Sequence, residues 1–231
     1  MRILFFSDIH GSIRNLEEYL KVDSAFDHYI FLGDIFGYIP LEKDVLSFFK
    51  KSNLTFILGN HDLYYLKSLS ESEFLKTYSN INRSMISSNA YEERYGYLYE
   101  TCSKYKLKDT SFLFGVPLEK NIILDNLRII LAHGSPSNPF NEYIYRDNEN
   151  IKELFYKFNF DILALGHTHK SFIYENNGHY IINPGSCTIP RGGGNPSIII
   201  CNTNPLSFKI KAIPQTIKYR TITKTKIEVL N

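Results

Sequence analysis

The chain has 231 residues, enough for one α/β domain with a substantial core, and its 43% hydrophobic and 22% charged residues are ordinary globular values. A net charge of +2, with lysines spread along the chain, carries no strong signal for nucleic acid and none for an anionic membrane. Cys102, Cys187 and Cys201 are odd in number and lack C-x-x-C spacing, which argues against a disulfide framework or a zinc knot and leaves them as reduced structural thiols. No apolar run approaches the ~18 residues of a membrane span, and the polar cluster at Ser7 leaves no room for a signal peptide, so a cytoplasmic protein is expected.

In chain order, Arg2 to Phe6 reads as a buried strand that empties into Ser7-Asp8-Ile9-His10. Ser12 is placed to cap a helix carrying Leu16, Tyr19 and Leu20 on one face. A second strand, about His28 to Leu32, ends at Gly33-Asp34, and Phe36-Gly-Tyr-Ile-Pro40 leads to a helix with Val45, Leu46, Phe48 and Phe49 inward. A third strand, Leu54 to Leu58, ends at Gly59-Asn60-His61-Asp62. The β-α-β-α-β alternation predicts parallel strands.

From about residue 64 to 105 the apolar spacing turns helical, predicting an insertion of two or three helices, either a lid over the site or a flank packed beside it. Tyr91, Tyr95, Tyr97 and Tyr99 are read as helix-face packing rather than a substrate platform. Asn121 to Leu124 and Leu127 to Ala132 spell strand-turn-strand, the second delivering His133-Gly-Ser135. A helix from about Glu149 to Phe158 returns the chain to the strand that ends at Gly166-His167-Thr168-His169. Ser171 to Glu175 and His179 to Asn183 form a hairpin about Asn177-Gly178, the second strand ending at Asn183-Pro-Gly-Ser186. Strands at Ser197 to Cys201 and Leu206 to Ala212 follow, and the alternation from Ile217 to Leu230 favours an edge strand over a helix. With helices early and hairpins late, the profile fits two sheets face to face with helices outside, in a single domain over 1–231.

Six strands that each end in a polar cluster make an active-site rim. Its ligand types are Asp8, His10, Asp34, Asn60, His133, His167 and His169, an oxygen and nitrogen set without thiolate. Such a set suits manganese, iron, zinc or nickel. Seven ligands exceed the needs of one ion, and two divalent ions, of which manganese is the first expectation, would use them all. His28 and His179 begin strands away from the rim and are read as structural.

The blocks Asp8-x-His10, Gly33-Asp34, Gly59-Asn60-His61-Asp62, His133 and Gly166-His167-x-His169 resemble, in order, those of the calcineurin-like metallophosphoesterase superfamily. The resemblance implies a four-layer α-β-β-α sandwich of two mixed sheets flanked by helices. It also implies that Asp8, His10, Asp34 and His169 hold one metal, that Asp34, Asn60, His133 and His167 hold the other, and that a metal-bridging hydroxide attacks phosphorus. His61 would steady the transition-state charge or protonate the leaving oxygen. Asp62 would anchor His61 or the loop through a hydrogen bond, or cap the following helix.

Protein serine/threonine phosphatases of the superfamily continue the second block as Gly-Asp-x-x-Asp-Arg-Gly, whereas here it runs Gly33-Asp34-Ile35-Phe36-Gly37-Tyr38-Ile39. Phosphoprotein is therefore not the expected substrate. Gly37-Tyr38, Pro40, His133-Gly-Ser-Pro136 and Asn183-Pro-Gly-Ser186 followed by Pro190-Arg191 resemble instead the small bacterial and archaeal phosphodiesterase branch. Arg191 could supply the missing phosphate grip, or be a surface arginine, and Tyr38 could stack on substrate. The expectation is a phosphodiesterase for small or nucleotide-like phosphoesters. The alternatives are a phosphomonoesterase, a dinucleoside-polyphosphate hydrolase, or a metal-binding interaction scaffold.

Overall fold

The computed structural model of the chain describes residues 1–70, 76–77, 110–223 and 226–230. Its core is explained by two alternating strands. In β1, Arg2–Phe6, successive side chains point to opposite faces. Ile3 and Phe5 join one apolar cluster and Leu4 and Phe6 another. β1 lies in a five-stranded sheet, flanked by parallel β2, His28–Phe31, which in turn pairs in parallel with β3, Leu54–Phe56. The cluster of Leu4 and Phe6 also holds Leu16 and Tyr19 of α1, Arg14–Leu20, Val45, Leu46 and Phe48 of α2, Val45–Phe48, and Leu63, Tyr65 and Leu66 of α3, Asn60–Leu69. Helices therefore cover that face of the sheet.

The second sheet repeats the logic. It comprises β4, Glu119–Leu124, β5, Leu127–Ala132, β6, Ile162–Leu165, β7, Ser171–Asn176, and β8, His179–Pro184, in the order β4-β5-β6-β8-β7. Ile129 and Leu131 of β5 share a cluster with Ile3, Phe5 and Ile30 of the first sheet, so these two faces pack on each other. Ile130 and Ala132 point the other way, onto Ile151 and Leu154 of α4, Ile151–Lys157. The layers run helix, sheet, sheet, helix. Both sheets are mixed, because β9, Ser197–Thr203, lies antiparallel to β1 and carries β10, Leu206–Ala212, at the edge, while β4 and β7 are antiparallel edges of the second.

Several boundaries differ from expectation for local reasons. Ser12 does not occupy the N-cap of α1; Ile13 does, and the Ser12 hydroxyl accepts the Arg14 N–H at 3.3 Å while donating to Glu42 at 2.6 Å. β3 stops at Phe56 rather than Leu58, because the Leu58 N–H turns to the Pro117 carbonyl at 3.0 Å. The C-terminal alternation forms a hairpin, not one edge strand. β11, Lys218–Thr223, pairs antiparallel with β12, Lys226–Leu230, in a two-stranded sheet of its own. Alternation at period two specifies a strand but not its partner. The hairpin starts beside Ile217, which is buried with Tyr38, Ile39 and Ile189. The expected insertion begins inside α3, and from residue 71 on, apart from 76–77, it lies outside the described residues, together with the lid reading and Tyr91, Tyr95, Tyr97 and Tyr99.

Candidate metal centre

The rim is built by backbone turned left-handed directly after strands. Asp8, His10, Asp34, His167 and His169 have φ of 53°, 44°, 66°, 66° and 58°. Such a conformation costs a non-glycine residue roughly 1–2 kcal/mol, and it persists where surrounding structure over-determines it. Here the loops are zipped together: Asp8 donates its N–H to the Gly33 carbonyl at 3.0 Å, His10 to the Asp34 carbonyl at 3.0 Å, and Gly11 to the Ile35 carbonyl at 2.6 Å. Farther along the chain, the Ser186 hydroxyl donates to the Asp8 carbonyl at 2.6 Å, and the Asn183 amide to the Gly166 carbonyl at 2.6 Å.

All seven candidate ligands are buried, and the outer nitrogens of three imidazoles are anchored. Nδ1 of His10 lies 2.9 Å from the Phe36 carbonyl, Nδ1 of His133 2.6 Å from the Leu32 carbonyl, and Nδ1 of His169 2.6 Å from the Ile189 carbonyl. A carbonyl can only accept, so Nδ1 carries the proton and Nε2 turns a lone pair inward. His169 Nε2 is 3.2 Å from Asp8 Oδ1 and 3.0 Å from His10 Nε2. His133 Nε2 is 3.2 Å from Asp34 Oδ2, while His10 Nε2 and His61 Nε2 each stand 3.9 Å from that oxygen. Two groups result with ligand atoms mutually within 4.8 Å, Asp8 with His10 and His169, and Asp34 with His133 and His167; a third joins His10, Asp34 and His61.

These residues fit a cation on their own chemistry. Among the described residues, Asp8 Oδ1, Asn60 Oδ1, His133 Nε2 and His167 Nε2 are buried without a hydrogen-bond partner. Asp8 Oδ1 and Asn60 Oδ1 can only accept, and such buried acceptors would be costly unless something positive satisfied them. Burial opposes ionisation of Asp8, yet the imidazoles of His169 and His10 hold its carboxyl well below the usual range. Asp34 is likewise held low, against burial, by His133 and His61. Burial pushes His61 and His167 down to about 3 and lowers His169 as well. Anionic carboxylates and neutral imidazoles are the forms that ligate metals. His133 is the exception: against burial, the Asp34 carboxylate raises it to about 9, so a proton sits where a cation would replace it.

Asp62 caps its helix and also grips the loop after β2. At the third position of α3 its Oδ2 accepts the N–H of Gly59 at 2.9 Å, which caps the helix. Its two oxygens also accept the N–H groups of Asp34 at 2.9 Å, Ile35 at 2.7 Å and Phe36 at 3.1 Å. Gly59 completes this junction, because a Cβ there would fall on the Asp34 carboxylate and 2.6 Å from its backbone nitrogen. Asp34 Oδ1 is held in turn by the His61 N–H at 3.0 Å, leaving Oδ2 facing the imidazoles.

Arg191 and Tyr38 meet at the His10 side of this centre. The guanidinium Nη2 donates to the Tyr38 hydroxyl at 3.3 Å, and the Tyr38 ring lies 4.6 Å from that of His10 and 5.1 Å from that of His61. His28 and His179 stand apart, bonded to Thr55 Oγ1 at 2.8 Å and the Phe160 carbonyl at 2.6 Å. Tyr143, which no spacing or motif singles out, lies with its ring 3.9 Å from that of His167.

Residues 1–205 match the calcineurin-like phosphoesterase superfamily domain. The chain belongs to that superfamily. It is 26% identical to the uncharacterized protein MJ0912 of Methanocaldococcus jannaschii, over 91% of this chain and 86% of that one. Its fold superposes on a metallophosphoesterase from Sphaerobacter thermophilus with a TM-score of 0.70 and 26% identity, covering 92% of this chain and 88% of the other. The hypothetical protein PH1004 of Pyrococcus horikoshii shares the fold at a TM-score of 0.72 and 18% identity, with 93% and 88% covered. As a member of this metal-dependent superfamily the chain is a hydrolase acting on phosphoester bonds, and its clustered carboxylates and imidazoles could bind metal. Among the described residues no helix is long and apolar enough to cross a membrane.

Proposed function

We propose that the chain is a dinuclear metal-dependent phosphodiesterase acting on small or nucleotide-like phosphoesters. The observation that carries this reading is the pair of ligand groups, Asp8 with His10 and His169, and Asp34 with His133 and His167, set beside each other with Asp34 Oδ2 facing both. In it, Asp8, His10, Asp34 and His169 hold one divalent ion, and Asp34, Asn60, His133 and His167 the second, manganese being the first candidate. When bound, such ions acidify a water and neutralise charge on the phosphoryl oxygens.

The chain's own side chains do the rest. Arg191 is half-buried, and among the described residues no carboxylate pairs with its guanidinium, so a phosphoryl oxygen is the natural acceptor for its free N–H groups. Tyr38 orients that guanidinium through its hydroxyl. His61, kept neutral by burial, offers an N–H to the phosphoryl or leaving oxygen. Preference for diesters is supported by Ile35-Phe36-Gly37-Tyr38, which supplies neither the Asp nor the Arg with which the phosphoprotein phosphatases continue this block.

Purified protein, stripped and reloaded with single divalent metals, should hydrolyse bis(4-nitrophenyl) phosphate more efficiently than 4-nitrophenyl phosphate, and phosphopeptides hardly at all. The reverse order would make it a monoesterase. Inactivity with every metal on every ester would leave only a binding scaffold.

A further inference from the structure

At the edge of the centre, an aromatic residue lies on a candidate ligand, near enough to Arg191 and Tyr38 to act on both electrostatically. The Tyr143 ring is 3.9 Å from the His167 ring, inclined by 31°, and is 40% exposed. An exposed aromatic ring gains little by burial, and this one is held there by a braced loop. The Ser135 hydroxyl donates to the Glu142 carboxylate, the Gly134 N–H to the Pro139 carbonyl at 3.0 Å, and the Asn148 amide to the Tyr143 carbonyl at 3.0 Å. The buried Ile144 anchors the next position.

The arrangement continues outward. The Tyr145 ring is parallel to that of Tyr143 within 11°, at 6.3 Å between centroids, and Lys170 Nζ stands 5.4 Å from the Tyr145 centroid. Tyr145, Arg146 and Lys170 then wall a groove of about 530 Å³ that reaches Ile210 of β10. From the metal centre outward the surface thus offers a flat aromatic face, then a second ring under a cation, then an open groove where Arg146 and Lys170 outnumber the single carboxylate of Asp147.

We propose that Tyr143 is a specificity-determining platform on which the base of a nucleotide substrate stacks, and that the groove past Tyr145 receives further anionic groups of that substrate. This deepens the phosphoesterase reading and rests on it. Because Tyr143 neighbours both His167 and Arg191, a phosphoryl group seated between Arg191 and the ligand cluster leaves the rest of the ester within reach of the Tyr143 ring. A sugar or alkyl ester would use the centre but gain little from an aromatic face, whereas every nucleobase has a π-face to stack.

The test compares ligands that differ only in the base. With manganese-loaded protein, AMP should bind about tenfold more tightly than ribose 5-phosphate, the scale of one stacked base, as read by titration calorimetry. Tyr143→Ala should bring the two affinities together by weakening AMP alone, and Tyr143→Phe should keep them apart. Lys170→Ala should reduce the advantage of the dinucleotide pApA, whose second phosphate lies beyond the first nucleoside, over AMP. If the protein hydrolyses bis(4-nitrophenyl) phosphate yet binds AMP and ribose 5-phosphate equally, or if Tyr143→Ala weakens both alike, the platform is overturned and the phosphoesterase reading stands. If it hydrolyses no phosphoester and binds neither ligand, both fall.

Discussion

The carboxylate of Asp62 accepts the backbone N–H of Asp34 at 2.9 Å, and it accepts those of Gly59, Ile35 and Phe36 with its remaining capacity. One side chain therefore joins the loop after β2 to the start of α3, and with it the position of Asp34 to that of Asn60 and His61. Asp62→Asn keeps the shape but turns an NH2 toward backbone donors. Leaving buried N–H groups unpaired costs about 1–3 kcal/mol each. The variant should melt about 5–10 °C lower, and its metal affinity should fall about 10–100-fold. Calorimetry and metal titration measure both; an unchanged metal affinity would show that the loop holds its geometry without this junction.

Metal content tests the centre directly. Elemental analysis after manganese loading should approach two ions per chain. Because ions bound to the folded chain stabilise it by about 2.7 kcal/mol at a hundredfold excess over Kd, chelation should lower the melting temperature by about 5–10 °C, and added manganese should restore it. Saturation at one ion with full activity would rule out the dinuclear scheme.

His61 belongs to a group with His10 and Asp34 whose ligand atoms lie within 4.8 Å of one another, so proximity alone would admit it as a ligand. The proposed role is different, and His61→Ala separates the two. Metal content should stay near that of the wild type while the rate falls about 10²–10⁴-fold. A nitrophenolate leaves readily without a proton and an alkoxide does not, so the loss should be larger on alkyl or nucleotide esters. Equal losses would point to stabilisation of the phosphoryl oxygens, and loss of an ion would make His61 a ligand.

Away from the centre, Arg2 grips Asp23 through two bonds of 2.7 Å and 2.6 Å, and the Tyr19 hydroxyl donates to the same carboxylate at 2.7 Å. Arg2 first, then Tyr19, hold Asp23 down at about 2, below the ~3.9 of an unfolded chain. A depressed carboxyl stabilises the fold above its unfolded value, and that contribution is lost as pH falls through its folded value. With the side chain 31% exposed, solvent screening limits the effect to under about 1 kcal/mol. Asp23→Asn should be less stable than wild type at pH 7 by that amount in denaturant titrations, and the difference should shrink between pH 4 and pH 2. A difference independent of pH would assign it to packing.

Much of this architecture is a local property of the chain. Alternating Ile3, Leu4, Phe5 and Phe6 needs apolar partners on both faces, which only a strand between two layers provides, and β5 repeats the demand with Ile129 to Ala132. The polar residues after those strands mark the rim, because the side chains that follow a buried strand are the first with access to a cleft. Asp8, His10, Asp34, Asn60, His133, His167 and His169 could therefore be picked out along the chain before their convergence was seen.

The rest depends on what distant segments do to one another. The period of Ile217 to Leu230 prescribes extended backbone, but its pairing as a separate hairpin is settled by competition among available edges. Asp62 could be read as cap or as anchor of its own loop, and besides capping it binds the loop after β2, since its oxygens lie within reach of two loops that only the packed sheets bring together. Tyr143 stands 24 residues before His167 in a loop of irregular sequence. No periodicity relates those positions. Their rings meet at 3.9 Å because hydrogen bonds close the loop after β5 over the end of β6, and contacts made across such a separation leave no mark in the order of the residues.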